Sequence, residues 1–209
     1  MANQTPSIRP ADQDSMAGVL KTAINKAMQS MDVMMPVEVV AYDRATNRAT
    51  VRHLIQMVGS DGEAVDRANI ASVRVMQPGN SAFNISLPIK PGDKGWIMAA
   101  DRDISTFQQG LEKGAPNTAR MHSFQDGVFM PDAMSNGDAP AGQGDRVVIG
   151  ANDGSCFLAF DANGFEFVGP FGTLSLTAAG IIHNGKNIGA THTHGGVELG
   201  PSNTDVPNP

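Results

Sequence analysis

From Ser15 to Met31 the chain reads SMAGVLKTAINKAMQSM. Met16, Val19, Leu20, Ala23, Ile24, Ala27, Met28 and Met31 recur at i, i+3 and i+4, which predicts an amphipathic helix. Ser15 precedes it as the N-cap, with a hydroxyl that can accept from the first free backbone N–H groups. The apolar stripe is rich in Met and Ala. Such a stripe packs on its own domain or on another chain, and the pattern leaves both open.

At residue 34 the period falls to two. PVEVVAYDRATNRATVRHLIQMV alternates in two runs, Val37-Val39-Ala41 and Ala49-Val51-His53-Ile55, around a turn-like DRATNR. That predicts a β-hairpin. DGEAVDRANIASVRVMQP predicts a loop and a strand. SAFNISLPIKPGDKGWIMAADRDIS predicts a strand, a Pro-Gly-Asp turn at 91–93 and a strand at 95–100. About five short strands joined by tight turns make a small closed barrel. Residues 132–144, DAMSNGDAPAGQG, have almost no apolar content and read as a linker or exposed loop.

Beyond Asp145 a weak repeat begins: RVVIGANDG, SCFLAFDANG, FEFVGPFG, TLSLTAAG, IIHNGKN. Each segment is a short strand closed by a Gly- or Asn-containing turn, as in a solenoid-like or helical β stack. Phe165 and Phe167 share a face, and so do Leu174 and Leu176. So few residues cannot bury these faces alone. Several identical chains winding about one axis can, and three is the natural number for a β-prism. The rival arrangement is a sandwich edge packed on the barrel.

Composition narrows the function. A formal net charge of −6 with no Arg/Lys block argues against nucleic acid. No apolar run is long enough to span a bilayer. The start, MANQTPSIRP, lacks the pattern of a secretory signal, so synthesis and assembly in a cytoplasm are expected. Residues 1–14, polar with two prolines, read as a disordered or partner-bound arm. Cys156 is the single cysteine, which excludes internal disulfides; a small buried apolar role is expected of it.

The chemistry concentrates in GATHTHGGVELG, residues 189–200. In a strand, His192 and His194 point to one side. Three chains then offer six imidazoles around an axis. Zinc prefers four ligands, while six nitrogens suit iron or nickel better than magnesium or calcium. Strand residues two apart lie about 6.6 Å apart, so the strands must bend to bring all six rings to one ion. Gly189, Gly195 and Gly196 give that freedom. A closed shell leaves no open position, so the site is structural. The enzymatic rival takes His192, His194 and Glu198 as the ligands of a cupin-like oxygenase. It needs a further histidine from a later strand, and none follows His194.

His53 and His122 read as structural hydrogen-bonding residues. His183 lies one repeat before the pair and is not assigned to the metal. Asp101, Asp103 and Asp126 read as turn and loop acids. No nucleophile elbow, P-loop or His-Glu-x-x-His is present.

VEVVAYDRATNRATV, LPIKPGDKGWIMAADRDIS, RMHSFQDGVFMPD, the repeat and GATHTHGGV together resemble the central spike, or membrane-piercing protein, of contractile-tailed phage baseplates. The resemblance runs from about residue 34 to the end of the chain. It implies an OB-fold, an intertwined trimeric β-helix, and an apex where histidines of three chains hold one iron ion. The expectation is therefore a mainly-β chain with an N-terminal helix. Its parts are an arm and helix (1–33), an OB-fold (34–131), the linker, a trimeric β-helix or β-prism (145–190) and a metal-binding apex (191–209). A non-enzymatic homotrimer follows, housed in the virion's tail baseplate. It meets hub or tail-tube proteins at its N-terminal end and the host outer membrane at its apex. The tip of a phage-like secretion or bacteriocin device is a related reading.

Overall fold

The computed structural model describes residues 15–59, 62–134 and 143–189. The chain divides into two compact units, residues 1–135 and 136–209. His192, His194 and Glu198 lie outside the described residues. Among the described residues no helix is long and apolar enough to cross a membrane.

The first unit opens with helix α1 (Met16–Gln29), capped as its sequence predicts: Ser15 Oγ accepts from the Gly18 N–H at 3.0 Å. Strands β1 (Met34–Asp43) and β2 (Arg48–His53) form the predicted hairpin. Its turn is written in side chains. Asp43 accepts from the Ala45 N–H and the Thr46 hydroxyl, and Asn47 takes a positive φ of 53°. Asn47 Oδ1 accepts from the Tyr42 hydroxyl, and its amide donates to the Val75 carbonyl, tying the turn to the next barrel strand.

A two-residue-per-strand hairpin follows, β3 (Met57–Val58) with β4 (Ala64–Val65). Then come β5 (Ile70–Val75), β6 (Lys94–Ala100), the short helix α2 (Ser105–Gly110) and β7 (Ser123–Pro131). The barrel closes in the order β1-β2-β5-β7-β6, with β6 returning to β1. Every pairing is antiparallel except β5 with β7. This is the five-stranded Greek-key order of an OB-fold. Of the alternating residues, Val37, Val39, Ala49 and Val51 face inward and are buried. Ala41, beyond a register shift after Val39, and Ile55, beyond the end of β2, are exposed. Val75, Ile97 and Phe129 complete the core. Gly95 is required where Phe129 crosses it, because a Cβ there would sit 2.6 Å from the Phe129 ring.

One predicted strand is absent. Residues 81–88 contribute no barrel strand; Gly79 and Asn84 make one isolated bridge. Asn80 Oδ1 instead accepts from the N–H groups of Ala82 and Phe83, folding the segment as a turn. The direct β6–β1 pairing leaves it no place in the sheet. Helix α2 had no periodic signal.

The second unit is a six-stranded antiparallel meander. It runs β8 (Val147–Gly150), β9 (Phe157–Asp161), β10 (Gly164–Gly169), β11 (Gly172–Thr177), β12 (Gly180–His183) and β13 (Lys186–Asn187). Strand and turn spacing match the repeat in the sequence. Gly164, Gly172, Gly180 and Gly185 sit at the turns with φ between 77° and 147°, a region that L side chains rarely adopt. Within one chain each strand pairs with the next in sequence.

Candidate functional site

The register of the meander assigns its two faces. Residues opposite each other across an antiparallel pair lie on the same side. Phe165 pairs with Phe160 on one flank and Leu176 on the other; Phe167 pairs with Leu158 and Leu174. Val147 faces Phe160, Ile149 faces Leu158, and Leu176 faces Ile181. Apart from His183, one face is therefore apolar from β8 to β12. The Phe160 and Phe165 rings stack there at 5.6 Å. Within the single chain this face lies open: Ile149 is 62 % exposed, Leu176 51 % and Ile181 41 %.

The opposite face looks after itself. Arg146 lies across it, donating to Glu166 at 2.6 Å and to the Ala159 carbonyl at 3.2 Å. Asp161 stands 3.5 Å from its Nε, which makes no hydrogen bond. Beneath this cluster Ala159 is completely buried. That face also carries Val148, Phe157, Val168 and Ile182, each partly buried. An open apolar sheet face of this extent marks an interaction surface.

His183 sits on the apolar face opposite Leu174 and is exposed. Cys156 is exposed, not buried as expected. It lies in the turn just before β9, beside Phe157 and Phe171. No group of three or more His, Cys, Asp or Glu side chains suited to a metal ion occurs among the described residues.

In the barrel unit, His53 packs on Phe124 at 5.3 Å. Its Nδ1 is buried and unpaired, which departs from the hydrogen-bonding role expected of it. Burial, and then the nearby Arg67 charge, hold its pKa below the ordinary histidine value; Asp32 opposes them. His122 lies 3.2 Å from Asp101, whose side chain is exposed. Asp103 and Asp126 are buried, unlike ordinary surface turn acids. Asp126, on β7, receives a two-pronged ion pair from Arg120 at 2.6 and 2.9 Å. Asp103 accepts from the Ser105 N–H and the Thr118 hydroxyl. Ser105, then Thr118, with a smaller contribution from Arg120, hold its carboxyl far below the usual range. These acids brace the loop between β6 and β7.

Two structural residues carried no sequence signal. Asp32 accepts from Arg67 at 2.8 Å and from the Phe124 N–H at 3.2 Å, while its own N–H donates to the His122 carbonyl. It fastens the end of α1 to the barrel. Arg146 was visible only as the last charge before a β-branched run.

The molecule is thus a mainly-β chain: a Greek-key barrel, then a sheet with one open apolar face. Residues 35–132, which are the barrel, match the family model of the phage protein Gp138 N-terminal domain. The match relates this chain to phage proteins through its barrel. No curated protein matches the chain.

Proposed function

We propose that the chain is a non-enzymatic structural component of a phage tail. In this reading three copies form the central baseplate spike, which pierces the host outer membrane when the tail contracts. The barrels form a ring joined to hub or tail-tube proteins. The sheets wrap their apolar faces around a common axis as an intertwined β-helix. The observation that carries the reading is the open face of Phe165, Phe167, Leu176 and their neighbours, which a single chain leaves in water. Three copies provide a shared core. The barrel's likeness to a phage protein domain supports the setting.

At the apex, His192 and His194 of three chains would hold one iron ion. The donor set fits: two neutral imidazoles per chain, tripled, make six nitrogens, which suit iron or nickel and exceed what zinc takes. When bound, the ion supplies a cross-link between three chain ends, and its binding energy becomes assembly energy. The function is mechanical. Strand hydrogen bonds and the shared core resist axial load, and the ion stops the tip from splaying.

Native mass and elemental analysis of the full chain test this together. The expected results are three times 21.9 kDa and one-third of an iron per chain. A stable monomer removes the architecture. A metal-free trimer removes the apex and leaves the rod.

A further inference from the structure

Helix α1 carries an apolar stripe that its own chain leaves open. Leu20 is 60 % exposed and Ile24 51 %. The helix residues that are covered, Gly18 fully and Thr22 in part, lie elsewhere. At about 100° per residue they fall on the side of the helix opposite Leu20, Ile24 and Ala27. The stripe therefore points away from whatever covers the back of the helix.

The spacing of the stripe identifies what fits it. Ala17, Leu20, Ile24 and Ala27 are separated by three, four and three residues. That is the seam of a coiled coil over two heptads, and its natural occupant is another helix of the same pitch. Met16, Ala23 and Met28 flank the seam and widen it. Lys21 and Lys26 are the charged residues of the helix itself. In a parallel bundle of identical helices Lys26 points outward, and Lys21 borders the position of Met16 rather than another lysine. Self-pairing thus brings no like charges together.

Two heptads are too short to associate strongly alone. Here the root of each helix is fixed. Residues 30–33 join it to β1, and Asp32 is bonded to Arg67, Phe124 and His122 of the barrel. Copies held together elsewhere would bring their α1 roots together at high effective concentration. We infer that the α1 helices of associated copies pair through Ala17, Leu20, Ile24 and Ala27 as a short parallel bundle at the barrel end. This rests on the trimeric reading above and adds a second, independent clasp to it. The occupant is the same helix in other copies of this chain.

Cysteine cross-linking in the full chain tests it. In a Cys156→Ser background, Ile24→Cys and Ala27→Cys place thiols in the seam, and Gln29→Cys places one on the outer face. Under mild oxidation the seam variants should form disulfide-linked chains at least about tenfold faster than Gln29→Cys, because only they share a local high concentration. Native mass is measured on each variant. A trimer in which the seam positions link no faster than Gln29→Cys overturns the bundle alone; the stripe is then reserved for a different protein. A monomer overturns both the bundle and the reading beneath it.

Discussion

Phe165 lies directly across from Leu176 on neighbouring strands, and both side chains are about half exposed. A cross-strand pair of this kind normally closes a core. In this chain it faces solvent, and it sits in the middle of a face that is apolar except for His183. Covering that pair would take apolar area out of water and stabilise the second unit.

Phe167→Asp should dissociate the assembly. The substitution places a carboxylate where the account puts a shared dry core, at a cost of several kcal/mol per chain. The barrel, a separate unit, should keep its fold. Sedimentation of the variant should give a monomer or a much weakened trimer, with far-ultraviolet circular dichroism retaining the barrel. Glu166→Gln, on the opposite face, should leave the mass unchanged.

The barrel has its own test of packing. Gly95→Ala sets a methyl against the Phe129 ring and the Met130 carbonyl. Overpacking of this kind costs typically about 1–3 kcal/mol. Phe129→Ala leaves a cavity in the same place and should cost about 3–5 kcal/mol. Denaturant melts of the barrel should rank the wild type first, Gly95→Ala next and Phe129→Ala last.

Stability of the barrel should fall as pH drops below about 6.5, the ordinary histidine value. His53 is held below that value in the fold, so the unfolded chain binds its proton first. Its contribution is complete above that pH and is lost as pH falls through the lowered folded value. Asp103 adds a second acid limb below about pH 4, again because its folded pKa is depressed. His53→Phe should flatten the first limb and leave the second. An unchanged profile in His53→Phe would place the titration elsewhere.

The chain's fold was legible where packing follows period. Val37, Val39 and Val51 announced a strand pair by alternation, and they are the core. Phe165, Phe167, Leu174 and Leu176 announced one face of a sheet, and they form it. The signal failed where side chains override period. Residues 83–87 alternate like a strand, yet Asn80 turns them out and the closed barrel has no gap for them. Asp126 looked like a loop acid because its partner, Arg120, is visible only once the β6–β7 loop is folded. Cys156 looked buried because its neighbours are apolar, but those neighbours lie on a surface that the chain alone does not cover. His192 and His194 lie outside the described residues, so the apex rests on their spacing and donor chemistry.

His192→Ala combined with His194→Ala should lower the melting temperature of the assembled chain and abolish iron binding, while barrel unfolding stays where it was. Chelation of the wild type at elevated temperature should mimic the double variant. A melting profile indifferent to both treatments would separate the rod from any metal.

The most direct test of the account is the native mass of the full chain at micromolar concentration, by sedimentation equilibrium or native mass spectrometry. A trimer is expected, three times 21.9 kDa. A stable, soluble monomer, with the face of Phe165 and Leu176 left in water, would contradict it.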